Sequence, residues 1–117
     1  MKKIIVVDDE PDIIYSIKVG LGNDFEIIES NSGRQLFQIL ESCIPDLVLL
    51  DIMIPDMNGW QILKRLKENE KLKNIPIIII TARTDKTAEN AGRFYAEGYF
   101  EKPFTIEDLK GSISKIL

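Results

Sequence analysis

Residues 46–59 read Asp-Leu-Val-Leu-Leu-Asp-Ile-Met-Ile-Pro-Asp-Met-Asn-Gly, and the change of character inside this stretch decides the fold. Val48, Leu49 and Leu50 form a continuous apolar run, the pattern of a strand covered on both faces in a parallel sheet. The run ends in Asp51, an acid at the carboxyl end of a central strand, where open α/β sheets place their ligands. Residues 52–58 then read as a loop, with Pro55 and the pair Asn58-Gly59 as breakers. A lone acid in that position would be a turn residue. The acids elsewhere in the chain change that reading.

Working outward, residues 4–7 (Ile-Ile-Val-Val) form a second β-branched run that also ends in acids, Asp8-Asp9-Glu10. Pro11 suits the first turn of a helix, with Asp9 or Glu10 near its cap and Ile13, Ile17 and Leu21 turned toward the sheet. Residues 25–28 predict another strand, and Asn31-Ser32-Gly33 opens a helix with Leu36, Phe37 and Leu40 inward. After the central strand, Ile62, Leu63 and Leu66 mark a helix, and residues 77–80 a buried strand ending in Thr81-Ala82. A helix is expected over 84–95, opened by Thr84 and Asp85, with poor apolar spacing and Gly92 inside it. Tyr99-Phe100 is a short strand leading into Glu101-Lys102-Pro103. Thr105 caps the last helix, with Asp108 three residues on and Leu109, Ile113 and Ile116 as its stripe. Five strands alternating with five helices give a doubly wound α/β fold in one domain, residues 1–117.

Composition narrows the function classes. A net charge of −4 and the lack of a basic stripe argue against direct nucleic-acid binding. With Cys43 as the only cysteine, no intrachain disulfide can form, and we expect Cys43 to be an inert core thiol. The chain has no histidine, so any phosphohistidine chemistry belongs to a partner. The apolar run after Met1-Lys2-Lys3 is too short for a signal peptide, and no stretch reaches membrane-spanning length, so the expected compartment is the cytoplasm. Trp60 and the methionines are read as packing or surface residues.

With parallel strands, one edge of the sheet collects Asp8, Asp9, Asp51, Thr81 and Lys102. Carboxylates ~5 Å apart repel by roughly 3 kcal/mol per pair at an effective dielectric of about 20. A single lysine leaves negative charge uncovered, and an all-oxygen site of this kind suits magnesium. Lys102 and the metal together could hold phosphate oxygens, with Thr81 offering a hydroxyl and a carboxylate attacking phosphorus.

These motifs, Asp8-Asp9, the run from Asp51 to Gly59, Thr81-Ala82 and Tyr99-Phe-Glu-Lys102-Pro103-Phe104, resemble the receiver domain of two-component response regulators. The resemblance covers essentially the whole chain and implies a flavodoxin-like sheet of order 2-1-3-4-5. It implies a stand-alone receiver of the chemotaxis-regulator or sporulation-phosphorelay kind, phosphorylated on Asp51 by a sensor histidine kinase or histidine phosphotransfer protein. Asp9 and Asp51 would bind Mg2+ directly with the backbone carbonyl of Met53, and Asp8 mostly through water. Lys102 would pair with Asp51 and later with the phosphoryl group, while Thr81 and Tyr99 would be the switch pair acting on a downstream protein target. One departure is the spacing from Thr81 to Lys102, 21 positions, one fewer than many relatives show.

Ile14 and Tyr15, beside the apolar stripe of the first helix, are core-edge packing or a contact for a kinase helix. The expected state is a monomer, with dimerisation on phosphorylation as the alternative. Other function classes fit less well. A magnesium-dependent phosphohydrolase with an aspartyl nucleophile would want an acid two residues after Asp51, where this chain has Met53. A nucleotide or flavin binder would want glycines in the first βα turn, which here reads Asp-Asp-Glu-Pro-Asp. An interaction-only domain would not need the complete acidic set.

Overall fold

The structure is a computed structural model that describes residues 1–82 and 96–117. The helix expected over 84–95 lies outside the described residues. Elsewhere the chain runs β1 (Lys3–Val7), α1 (Pro11–Leu21), β2 (Glu26–Ser30), α2 (Gly33–Leu40), β3 (Leu47–Asp51), α3 (Gly59–Glu68), β4 (Ile77–Thr81), β5 (Gly98–Glu101) and α4 (Ile106–Ile116). The strands form one parallel sheet in the order β2-β1-β3-β4-β5. That is the doubly wound sheet expected from the sequence.

Alternation along the strands divides the core into two layers. Ile4, Val6, Leu47, Leu49, Ile78 and Ile80 face α1 and α4, meeting Ile17, Leu21, Leu109 and Ile113. Ile5, Val7, Val48, Leu50, Ile77 and Ile79 face the other way, against Leu36, Ile62, Leu63 and Leu66 of α2 and α3. Every residue of β3 and β4 is buried, which is why their sequences show no polar alternation. The edge strands β2 and β5 are only half buried.

Helix starts follow from local chemistry. Ser32 accepts from the Gln35 N–H at 3.0 Å, and the Gln35 side chain reaches back to the Asn31 N–H at 2.7 Å. Asn58 caps α3 through the Trp60 N–H, and Thr105 caps α4 through the Asp108 N–H, as its spacing predicted. Pro11 opens α1, but Glu10 at the cap position makes no side-chain capping bond. Its carboxylate is engaged elsewhere, as described below.

Two expectations need correction. The buried stripe of α1 is Ile14, Ile17 and Leu21, whereas Ile13 only packs against the edge of that layer. Adjacent isoleucines satisfy either helical phase, so spacing could not choose between them. Cys43 is half-buried rather than a core thiol, because α2 ends at Leu40 and Cys43 lies in the turn beyond it.

The order 2-1-3-4-5 reverses direction at β1. The crossover through α1 leads to one side and the crossover through α2 returns to β3 on the other, opening a crevice beyond the carboxyl ends of β1 and β3. The loop after β3 is closed at its far end by the Gly59 N–H, which donates to the Ile52 carbonyl at 3.3 Å. A Cβ on Gly59 would collide with the backbone and side chain of Ile52. We therefore expect Gly59→Ala to cost about 2 kcal/mol or more of stability in urea unfolding, since backbone rather than a movable side chain must shift.

Candidate functional site

Asp8 follows the last residue of β1, and its N–H donates to the Ser30 carbonyl at 3.0 Å, so the register with β2 runs one residue past the strand. That pairing holds the Asp8 side chain at the crevice with no exposed surface. Asp51, 2% exposed, ends β3 beside it. Lys102 arrives along β5, from the far side of β4. Thr81 pairs with Glu101, and the Lys102 N–H donates to the Thr81 carbonyl at 2.8 Å, which carries β5 one residue further along β4. The bond from Lys102 to Pro103 is cis, a feature the sequence did not signal.

The three elements meet at the Lys102 ammonium. Nζ lies 2.8 Å from Asp8 Oδ2, 3.0 Å from Asp51 Oδ2 and 3.1 Å from Glu10 Oε1. The contacts to Asp51 and Glu10 are hydrogen bonds, whereas the contact to Asp8 Oδ2 is a charge contact without hydrogen-bond alignment. Asp8 Oδ1 accepts from the Glu10 N–H at 2.9 Å, and Asp51 Oδ1 accepts from the Met53 N–H at 2.8 Å. Asp9 is exposed at the rim, and one carboxylate oxygen each from Asp8, Asp9, Glu10 and Asp51 lie within 4.8 Å of one another.

Electrostatics follow from that geometry. Burial pushes the Asp8 carboxyl above its usual range and the Asp51 charge adds to the rise, while Lys102 and the Glu10 N–H pull it back only in part. Burial alone would lower the Lys102 ammonium, but the carboxylates of Asp8, Asp51 and Glu10 outweigh it and hold the proton more firmly than usual. Among the described residues, four carboxylates cluster at this edge and one ammonium touches three of them, which leaves an excess of negative charge. An all-oxygen cluster of four acids, two of them buried, fits a hard divalent cation.

The structure brings together Asp8, Asp9, Asp51 and Lys102, as the sequence predicted. Thr81 is buried at the end of β4, and alternation puts it on the face of Ile77 and Ile79. Tyr99 pairs with Ile79 and packs half-buried against that same layer, so Thr81 and Tyr99 share a face of the sheet. Met53 follows two residues after Asp51 with an exposed side chain. Sequence reasoning missed the part of Glu10, read only as a helix-start acid. The signal was the third acid in the run Asp8-Asp9-Glu10, within reach of any cation serving the first two.

Comparison with known proteins agrees with the fold. The response regulator receiver domain family matches residues 4–114. The chain belongs to that family. It is 35% identical over 119 residues to the response regulator ArlR of Staphylococcus saprophyticus, covering all of this chain and 53% of that protein. The chemotaxis response regulator CheY4 of Vibrio cholerae superposes with a TM-score of 0.91 at 25% identity, covering 100% of this chain and 99% of that one. The response regulator TrrA of Thermotoga maritima, solved in complex with Mg2+ and BeF, superposes with a TM-score of 0.87 at 31% identity over all of both chains. The chain spans about half the length of ArlR, and a quarter of a probable cyclic di-GMP phosphodiesterase of Vibrio cholerae that is 35% identical over 111 residues. Family, relatives and fold together make the chain a phosphorylation-activated signalling switch of a two-component system. No helix of the described residues is long and apolar enough to cross a membrane.

The raised Asp8 carboxyl makes a stability prediction for the metal-free protein. With its folded value above the unfolded one, ionised Asp8 destabilises the fold at neutral pH, and the penalty disappears as pH falls below both values. Asp8→Asn removes the charge and keeps the size. In urea unfolding with chelator, it should raise the stability of the protein at neutral pH, chiefly because no charge then has to be buried. The gain should shrink as pH is lowered through the carboxylate range.

Proposed function

We propose that Asp51 is the phosphoacceptor, on the strength of one observation above all. It is the buried carboxylate that ends the central strand at the crevice, held between the Lys102 ammonium and the Met53 N–H and facing the acids of β1. An Asp51 oxygen attacks phosphorus, the bond to the donor's imidazole nitrogen or to a small phosphodonor breaks, and the leaving group takes the electron pair. The product is an acyl phosphate on Asp51. Lys102 then binds a phosphoryl oxygen, and the Thr81 hydroxyl donates to another.

The acids fit Mg2+ as cofactor. Asp9, Asp51 and the Met53 backbone carbonyl would hold it, with Asp8 acting through water. When bound, it neutralises charge on the transferring phosphoryl oxygens. The donor is a sensor histidine kinase or histidine phosphotransfer protein, because this chain supplies no histidine of its own. A cleft of about 580 Å3 beside the acids is lined by Asp8, Asp9, Asp12, Ile14 and Tyr15, and Tyr15 is 69% exposed there. Tyr15 is the better candidate for the donor contact, since Ile14 is buried in the core. The chain catalyses only its own phosphorylation and dephosphorylation, since Met53 cannot act as the general acid of an aspartyl phosphohydrolase. A cytoplasmic receiver over residues 1–117 that signals by protein contact fits the acidic net charge.

Intact-mass analysis after incubation with acetyl phosphate and magnesium should show one added phosphoryl group, absent when chelator replaces magnesium. Asp51→Asn should abolish it, and labelling that persists in this variant would assign the chemistry to another residue.

Output runs through Thr81 and Tyr99. A phosphoryl group draws the Thr81 hydroxyl by a charge-assisted hydrogen bond of roughly 1.5–3 kcal/mol, enough to shift a two-state population about tenfold or more. The space released on that face favours an inward Tyr99 and changes the surface around β5 that a downstream protein reads. Thr81→Ala should still accept phosphate at Asp51. It should lose most of the change in amide exchange that beryllofluoride causes over 98–104 in the wild type.

A further inference from the structure

The loop between Asp51 and α3 is pinned at each end and once in the middle. Ile52 and Ile54 bury their side chains against the α2 and α3 layer, Gly59 closes back on Ile52, and Asn58 caps α3. The middle pin is Asp56. Its Oδ1 accepts from the Gly33 N–H at 2.9 Å and its Oδ2 from the Arg34 N–H at 3.0 Å, the first two N–H groups of α2. The third, on Gln35, already belongs to Ser32, so α2 is capped half by its own residue and half by the loop from across the crevice. Contact beneath is tight, since a Cβ on Gly33 would lie 2.8 Å from both Met57 Sδ and Ile62 Cδ1. Burial would raise the Asp56 carboxyl, but the two backbone donors outweigh it and hold it below its usual range, so Asp56 stays ionised at the positive end of α2.

A helix needing only a cap would be served by Ser32 and water. Asp56 does something more specific with the same bonds. Only Ile54 and Pro55 separate it from Met53, whose N–H holds Asp51 Oδ1 and whose carbonyl we assign to the cation. Ile54 is buried and Pro55 has a fixed φ, so little freedom remains between the two anchored residues. We propose that Asp56 is a positioning residue for the phosphoryl reaction, fixing the Met53 backbone and the Asp51 carboxylate by clamping the loop to α2. This rests on the reading of Asp51 and the cation given above.

The test separates positioning from simple helix capping. Wild type, Asp56→Ala, Asp56→Asn and Ser32→Ala are titrated with magnesium alone, following the amide shifts of Met53 and Trp60 by NMR, and each is unfolded in urea. Asp56→Ala should weaken magnesium binding roughly tenfold, the low end of what outer partners of metal ligands contribute. Asp56→Asn keeps one acceptor and should fall between. Ser32→Ala should lose comparable stability, yet keep its magnesium affinity within about twofold, because it leaves the loop clamped. Phosphorylation of Asp56→Ala by acetyl phosphate should be slow at low magnesium and recover as magnesium is raised. Equal magnesium affinity in wild type and Asp56→Ala would overturn the proposal, as would an equal loss in Ser32→Ala. Failure of the wild type to bind magnesium would overturn the reading of the site itself, and the clamp with it.

Discussion

One ammonium among three carboxylates is the contact on which the site depends. Lys102 touches Asp8, Asp51 and Glu10, which come from the ends of two strands and from the turn before α1. These acids did not come together by mutual attraction. Sheet order forces them to the same edge, and the apolar layers above and below supply the energy to keep them there. Removing a carboxylate from water costs several kcal/mol, and a single shared lysine does not recover it for all. The cluster is therefore a poor stabilising device. Its clustered acids fit a cation, and on the proposed reading its lysine would pass from a carboxylate to a phosphoryl oxygen.

Lys102 itself depends on β5. That strand is short and half-buried, yet it continues beside β4 until the Lys102 N–H reaches the Thr81 carbonyl. Glu97, just before the strand, accepts from the Ile77 N–H at 2.6 Å and lies 3.4 Å from the Lys67 ammonium of α3. The strand that delivers the ammonium is thus registered at both ends against β4. A slip of one residue would turn Tyr99 to the wrong layer and carry Lys102 out of the crevice. Register here fixes the layer of Tyr99 and the place of Lys102 together.

Much of this was legible in the sequence because the informative residues break a pattern. Apolar runs that end in acids or threonine announce both the buried strands and the sheet edge where those residues collect. Other features were hidden because they satisfy more than one pattern. Ile13 and Ile14 fit either phase of α1, and only packing against the sheet selects Ile14. Cys43 follows an apolar stripe and reads as core until the end of α2 is located. Glu10 and Asp56 look like ordinary loop acids because their partners, an ammonium 92 residues away and backbone N–H groups 22 and 23 residues away, leave no local trace. Periodicity reports neighbours along one element, whereas these contacts belong to the crevice between elements.

Strand alternation also separates two tasks that the linear motif runs together. Asp8 and Asp51 follow Val6 and Leu49, on the face that α1 and α4 cover. Thr81 follows Ile79, and Tyr99 pairs with Ile79, on the face that α2 and α3 cover. Charge accumulates on one side of the sheet, while the residues we assign to readout lie on the other. Only at the carboxyl edge, where the strands end, can the two sides exchange a hydrogen bond. On the reading proposed above, a phosphoryl group on Asp51 would be sensed across the sheet's rim rather than through its core. The core layers can stay rigid while the population of the rim changes, so the switch does not need to loosen the fold that positions it.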